Sequence, residues 1–252
     1  MSYNKTFLEN VIARIDFASP VEALNAKVPK KFDVPALATF PIKAPRKEIR
    51  VSEALLSKGG LQTTSQKVYA LWEYNDIKNE NKLELAQTHM DILFKTFRDY
   101  KDLKDVFTRL TEVLTVEVKD IVIKRLGLRF INNVALNDKD SPIIWDKYLS
   151  KNLLSFLNIP KKTDELIRGF HILTIRRDDF ALEFRYGLFN PDFPAPIKKR
   201  EFILDYDAFY NGLLEPKDIP RYLDSFYSAI YDLFEKCITN ELRKIMRGKR
   251  GK

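Results

Sequence analysis

The segment from Ile121 to Val134 constrains the fold more than any other part of the chain, because apolar residues recur at alternate positions along it. Side chains two residues apart lie on the same face of a β-strand. The other face is mixed, since it places Arg125 and Arg129 among aliphatic residues and asparagine. The segment therefore predicts a strand with one core face and one face whose guanidinium groups must be paired or hydrated. The core face gathers Val122, Leu126, Leu128, Phe130 and Val134.

Asp205 and Asp207 are candidate carboxylates near Arg129 or Arg200, and they lie two residues apart in a later predicted strand and so share a face. Carboxylates near an arginine belong more often to a structural ion-pair network than to a catalytic centre. We therefore expect Arg129 to pair with Asp205 or Asp207.

Apolar periodicity predicts the remaining elements. Strands are expected over residues 8–18, 67–74, 82–93, 169–177, 180–189 and 200–207, and helices over 100–115, within 143–157 and over 219–245. Short turns join most neighbouring strands, and such turns favour antiparallel pairing. The sequence predicts a single α+β domain over residues 1–252, with a largely antiparallel sheet, packed helices and a long C-terminal amphipathic helix.

Two segments are markedly basic. Residues 27–50 carry seven Lys or Arg against Asp33 and Glu48, a net +5, and their prolines predict an irregular arm. Residues 236–252 carry seven against Glu241, a net +6 of the total +8. Positive clusters can bind phosphates, although a solvated basic tail over residues 243–252 is an equal alternative. The candidate nucleic-acid contacts are Arg243, Lys244, Arg247, Lys249, Arg250, Lys252, Lys43, Arg46 and Lys47.

Several classes of function lack their sequence signatures. A single cysteine, Cys237, excludes an internal disulfide and a multi-thiolate metal site. His89 and His171 show no paired-ligand spacing, so no metal site is predicted. Phosphate-binding glycine loops and nucleophile elbows are missing, so no cofactor, no catalytic residue and no hydrolase or nuclease activity is expected. Without a signal peptide or membrane-spanning run, the chain is expected in the cytoplasm, away from membranes.

Three segments carry a resemblance to a known family. They are Arg125–Asn132 (RLGLRFIN), Leu204–Asp207 (LDYD) and Leu233–Leu242 (LFEKCITNEL). Together they resemble a sporadically distributed, uncharacterised prokaryotic protein family whose central motif reads Arg-x-Gly-Leu-Arg-Tyr-Ile-Asn, here with Phe130 for Tyr. The resemblance implies no particular activity, and the patchy distribution of the family implies mobile or defence-linked genes, antiviral defence among them.

Two functions are compatible with these observations. The first is a non-catalytic accessory or interaction protein, with Arg125, Arg129, Tyr227 and Tyr231 as interface residues. It would bind a protein partner, and nucleic acid through the basic C-terminus, as a subunit of a nucleic-acid-directed defence complex or companion of a nucleic-acid-guided effector. The alternative is an enzyme with a dispersed site, for which one pocket should enclose its residues. That site would comprise His171, Arg129, Arg185 and Asp205.

Overall fold

A computed structural model of the chain describes residues 3–57, 60–136, 141–162 and 165–248, with the backbone alone over residues 49–68. Within these ranges the chain forms ten strands and five α-helices. The strands are β1 Leu8–Phe17, β2 Ile42–Lys43, β3 Lys47–Ser57, β4 Gly60–Asn75, β5 Asn81–Ala86, β6 His89–Phe94, β7 Ile123–Ala135, β8 Gly169–Arg177, β9 Phe180–Leu188 and β10 Glu201–Leu214. The helices are α1 Ala23–Ala26, α2 Lys30–Thr39, α3 Tyr100–Glu117, α4 Ile219–Cys237 and α5 Asn240–Arg247.

The strands form one mostly antiparallel sheet in the order β2-β4-β5-β6-β1-β7-β10-β9-β8, with β3 added on β4. The α+β prediction is confirmed. Short 3₁₀ turns at Lys151–Leu153 and Ser155–Asn158 replace the helices expected within 143–157. No helix in the described ranges combines the length and the apolar character needed to cross a membrane.

The chain divides into two compact units. The first takes its described residues from 1–11, 128–209 and 224–252, and the second takes them from 12–127 and 210–223. The boundaries between the units fall inside β1, β7, β10 and α4, so these four elements contribute residues to both. The single domain over residues 1–252 therefore stays a prediction.

The core of the first unit lies on the apolar face of β7, β9 and β10, beneath α4. Phe184 on β9 stacks on Tyr206 of β10 with ring centres 4.7 Å apart. Phe180 packs against Phe226 of α4 at 4.9 Å. The apolar stripe predicted for the last helix is buried here at Phe226, Ile230, Phe234 and Cys237.

The second unit is built on β1, β5 and β6 with α2 and α3. Alternate residues of β1, including Ala13, Ile15 and Phe17, are buried, as strand periodicity predicts. Helix α3 begins after Asp99, whose side chain accepts a hydrogen bond from the Lys101 amide at 3.2 Å. Its apolar face is buried at Leu103, Phe107, Leu110 and Leu114.

The arm over residues 27–50 is more regular than predicted. Helix α2 occupies Lys30–Thr39 although Pro35 lies inside it. Pro29 immediately precedes the helix, where a missing amide hydrogen costs little. Burial of Phe32, Pro35 and Ala36 supplies the packing that offsets the hydrogen bond lost at Pro35.

Four element boundaries also differ from the predictions. Strand β4 begins at Gly60, seven residues before the predicted start at residue 67. Residues 82–93 are two strands, β5 and β6, joined by a tight turn at Gln87 and Thr88. Strand β10 continues to Leu214, seven residues past its predicted end. The last helical stripe is interrupted between α4 and α5, where Ile238 forms a β-bridge with Leu149. The β5–β6 turn is local, whereas the break of the last helix follows from pairing with a segment that is distant in sequence.

Candidate protein-interaction site

Strand β8 ends the sheet and leaves one edge open. It pairs with β9 along its whole length, from Gly169 opposite Leu188 to Arg177 opposite Phe180. Elsewhere in the described ranges no strand pairs with it. An edge strand presents unpaired backbone N–H and C=O groups at alternate positions. The free edge of β8 can therefore accept a further extended segment.

Large apolar side chains are exposed on and around this edge. Ile172 is 61% exposed and Phe193 is 53% exposed. Clusters of exposed apolar side chains mark interaction sites more often than other parts of a protein surface do. The exposed set in this part of the chain is Ile159, Phe170, Ile172, Leu173, Phe189 and Phe193.

The edge strand itself is positively charged, and Asp178 and Asp179 follow it in the turn to β9. The guanidinium carbon of Arg168 lies 5.8 Å from the centre of the Phe189 ring and 5.6 Å from that of Phe193. Neither Arg176 nor Arg177 forms an ion pair within the described residues. Residues 168–177 contain these three arginines and no acidic residue, a net +3. Arginine beside exposed aromatic rings is typical of residues that dominate binding energy at interfaces.

The hairpin that carries the edge is held by close packing on its other face. The imidazole of His171 lies between Phe156 and Tyr186, with ring centres 4.6 Å and 5.1 Å away. Gly187 has φ +144°, and a Cβ there would lie 2.0 Å from the Gly169 carbonyl oxygen. Only glycine fits this position. His171 thus serves to pack β8 onto the body of the unit.

The predicted pairing of Arg129 is confirmed. Its Nε and Nη2 donate to Oδ1 and Oδ2 of Asp205 at 2.8 Å and 2.6 Å. Arg185 adds a third bond, from Nη1 to Asp205 Oδ2 at 3.3 Å, and also pairs with Glu183. The hydrogen bonds with Asp205 are the main cause that raises the pKa of Arg129. This network fixes the mixed face of β7, β9 and β10.

The four residues of the alternative enzyme site do not converge. Arg185 is opposite Ile172, whereas His171 is opposite Tyr186, so the imidazole lies on the other face of the hairpin. Two surface grooves are described, of about 490 Å³ beside Val34 and Val113 and about 340 Å³ beside Trp145. Neither groove is lined by any of the four residues.

The other predicted interface residues are partly used within the fold. The ring centre of Tyr227 lies 5.9 Å from that of Phe130 and 6.4 Å from that of Tyr231. Both tyrosines are half-buried. Arg125 Nη1 lies 3.5 Å from Asp16 Oδ2, and its guanidinium folds over Gly127. These contacts give the three side chains a role in packing within the fold. Less of their surface is therefore available to a partner.

The predicted nucleic-acid contacts of the arm are neutralised by carboxylates. Lys43 Nζ lies 2.8 Å from Asp33. Lys47 Nζ lies 2.8 Å from Glu73 and is the main cause that lowers the pKa of that carboxyl. Arg46 lies 3.8 Å from Glu48. The charges of these three candidate residues are therefore compensated at least in part within the fold.

The C-terminal cluster is neutralised in part. Arg243 Nε bonds Glu235 at 2.8 Å, and Lys244 bonds Glu241 at 2.7 Å. Arg247 is exposed at the end of α5. Lys249, Arg250 and Lys252 lie outside the described residues.

Sequence reasoning missed one cluster, which lies in the second unit. Ligand atoms of Glu84, His89 and Asp91 lie within 4.8 Å of one another. Burial, followed by the charge of Glu84, raises the pKa of Asp91 to about 7. Burial also lowers the pKa of His89. The only local signal is the i, i+2 spacing of His89 and Asp91, because Glu84 joins them through strand pairing.

Comparison of the chain with protein-family models, with curated proteins and with solved structures gave no match. The family resemblance of the three segments therefore stays a prediction.

Proposed function

We propose that this chain is a non-catalytic interaction protein that binds an extended segment of a protein partner along the open edge of β8. The observation that carries the proposal is the exposed apolar set around an edge strand that, among the described residues, pairs on one side alone. Partner strands added to such an edge gain main-chain hydrogen bonds, and apolar side chains on both faces supply specificity.

The chemistry of the edge defines the partner segment. Phe170 and Ile172 point to one face of β8 and Leu173 to the other, so a bound strand meets apolar surface on both sides. The net +3 of residues 168–177 favours an acidic segment. A second copy of this strand would bring the same positive charge and gain no neutralisation. The occupant is therefore an extended, acidic and apolar segment of a different protein.

The wider role is proposed from the resemblance alone. In that role the chain is an accessory subunit of a nucleic-acid-directed defence complex, and the partner is the effector of that complex. The Arg129–Asp205 network has a structural part in this proposal, because it holds β7, β9 and β10 in place beneath the binding hairpin.

The test compares two lysine substitutions at equally hydrophobic, exposed positions. Ile172→Lys places a charge on the edge, whereas Ile77→Lys changes a residue that is 81% exposed in the turn between β4 and β5. Partners are captured from the native host, identified, purified and titrated against each variant. We expect Ile77→Lys to retain affinity and Ile172→Lys to lose it about tenfold or more, since edge residues decide strand addition.

Hydrogen exchange of the purified complex locates the contact. The free protein should exchange alternate β8 amides quickly, and the partner should protect them. Protection elsewhere with unchanged β8 exchange would contradict the proposal. Light scattering of the pure chain tests the second copy: a dimer that Ile172→Lys dissociates would make the edge a self-association surface.

A further inference from the structure

The β5–β6 hairpin brings together three side chains of the kinds that bind transition metals. Glu84 and Asp91 are directly opposite each other in the strand register. His89 precedes Asp91 by two residues on β6, so both side chains lie on the same face. Asp91 is 8% exposed. A buried carboxylate beside another carboxylate and an imidazole is costly unless a cation or a proton lies among them.

The hydrogen bonding of His89 is suited to a metal ligand. Its Nδ1 lies 3.0 Å from Thr88 Oγ1. When Nδ1–H donates to this hydroxyl, the lone pair of Nε2 faces Asp91 Oδ2, 3.4 Å away. Histidines that bind metals commonly donate their other ring N–H to such an outer partner. In this orientation, the lone pair of Nε2 is available to coordinate a metal ion beside the Asp91 carboxylate.

The spacing of these donors agrees with tetrahedral coordination. Two ligands that are each 2.0–2.1 Å from a tetrahedral Zn²⁺ lie about 3.3–3.4 Å apart. The separation of His89 Nε2 from Asp91 Oδ2 is 3.4 Å. A carboxylate oxygen of Glu84 lies within 4.8 Å of the other two donor atoms, so a shift of this side chain would give three ligands and leave the fourth position for water. One imidazole nitrogen with two carboxylates suits Zn²⁺, whereas Mg²⁺ and Ca²⁺ take oxygen ligands.

Neighbouring charges face the same cluster and compete with a metal. Lys82 Nζ lies 2.5 Å from Glu84, and Arg14 Nη1 lies 3.7 Å from Asp91. Arg14 is held mainly by Asp16, at 2.7 Å, which Arg125 also approaches. Lys82 has a flexible, partly exposed side chain and can move into solvent when Glu84 turns. Arg14 stays 3.7 Å from Asp91 Oδ2, the oxygen that also faces His89, so its charge lowers the affinity of the three ligands for a cation.

We propose that Glu84, His89 and Asp91 form a binding site for one divalent transition-metal ion of the Zn²⁺ class. Binding would join β5 to β6 through their side chains. All three ligands belong to the second unit, whereas β8 belongs to the first.

Calorimetric titration with Zn²⁺ tests the site on the tag-free chain after treatment with a chelator. We expect one Zn²⁺ per chain, and no comparable heat with Mg²⁺. His89→Gln and Asp91→Asn should each weaken Zn²⁺ binding about tenfold or more. The matched control is His171→Gln, since the chain has two histidines and the other packs between Phe156 and Tyr186. Affinity that persists in both ligand variants, or titration without saturation near one equivalent, would overturn the proposal.

Nuclear magnetic resonance of the histidine rings in the wild-type protein gives a second measurement. Addition of Zn²⁺ should shift Nε2 of His89 and leave His171 unchanged. This result decides the proposal even when Asp91→Asn fails to fold, because it needs no substitution. A shift at His171 alone, or at neither ring, would exclude the site.

Discussion

Arg129 on β7 holds the buried carboxylate of Asp205 on β10 through two parallel hydrogen bonds, at 2.8 Å and 2.6 Å. Fork-to-fork pairing of this kind is stronger and more directional than a single charge contact. Arg185 reaches the same carboxylate at 3.3 Å, so Asp205 keeps one basic neighbour when Arg129 is removed.

The first prediction concerns this pair. Arg129→Ala should lower the free energy of unfolding by about 2–3 kcal/mol, because it leaves a buried carboxylate with a weaker partner. Arg129→Leu should cost less, since leucine retains more of the packing volume. Urea denaturation measures both, and Arg176→Ala, which removes an exposed arginine, should leave the midpoint unchanged. Equal midpoints for all four proteins would remove the structural role of the pair.

The second prediction is a pH dependence carried by Glu235. Burial alone would raise the pKa of this carboxyl, but hydrogen bonds from Tyr3 and Arg243 hold it below its usual value. A lowered pKa in the folded state stabilises the protein above the unfolded pKa, and this stability is lost as the pH falls through the folded value. Glu235→Gln should therefore cost about 1 kcal/mol at pH 7 and progressively less below about pH 4.5.

Thermal unfolding from pH 7 to pH 3 checks this dependence. Glu112→Gln, which changes an exposed glutamate on α3, serves as the control. A constant difference between wild type and Glu235→Gln across the series would show that the charge of Glu235 has no part in stability.

The third prediction concerns the reactivity of Cys237. Burial raises the pKa of this thiol to about 11, so about one molecule in a thousand carries a thiolate at pH 8. Alkylation of the native protein should be correspondingly slow, and urea should restore the rate of a free cysteine. Mass spectrometry follows the single modification. Rapid labelling without denaturant would show that the C-terminal half of α4 opens readily.

The fourth prediction concerns the interruption between α4 and α5. Thr239 Oγ1 donates to the Lys147 carbonyl at 2.6 Å and accepts from the Leu242 amide at 3.5 Å. Thr239→Ala should cost about 1 kcal/mol, a typical effect of losing an N-cap. Thr239→Ser keeps the hydroxyl and should cost much less. Urea midpoints that fall equally for both substitutions would assign the effect to the methyl group instead.

The fifth prediction concerns nucleic acid. Because Arg243 and Lys244 are paired with carboxylates, binding should depend on Arg247 and the basic residues after it. About four neutralised phosphates give a slope near −3 to −4 for log affinity against log salt. Removal of residues 248–252 should lower this slope. Fluorescence anisotropy with single-stranded and duplex oligonucleotides measures it, and unchanged affinity after the deletion would move the contact elsewhere.

Local pattern was enough to predict much of the fold. Strand β8 was predicted with its observed bounds, and β1, β9 and α3 to within two residues at each end, because their periodicity repeats over many residues. The pairing of Arg129 was also predictable, since a guanidinium on a central strand requires a partner. The choice of Asp205 over Asp207 was left open, because it depends on side-chain positions across two strands.

Contacts between distant segments decided the rest. Helix α2 forms around Pro35 because Phe32 and Ala36 are buried. Strand β10 runs to Leu214, seven residues beyond the end that periodicity predicted. The position of β8 at the end of the sheet follows from strand order, and periodicity carries no information on strand order.

By itself, then, the sequence determined the strands, the amphipathic helices and the need to pair a buried guanidinium, since these depend on residues close together in the chain. Only the tertiary structure decided that β8 has an open edge beside exposed Phe189 and Phe193, and that Glu84 lies opposite Asp91. Both arrangements arise from the register and order of strands. One alternating pattern of apolar residues is compatible with several strand registers, and long-range packing selects one register.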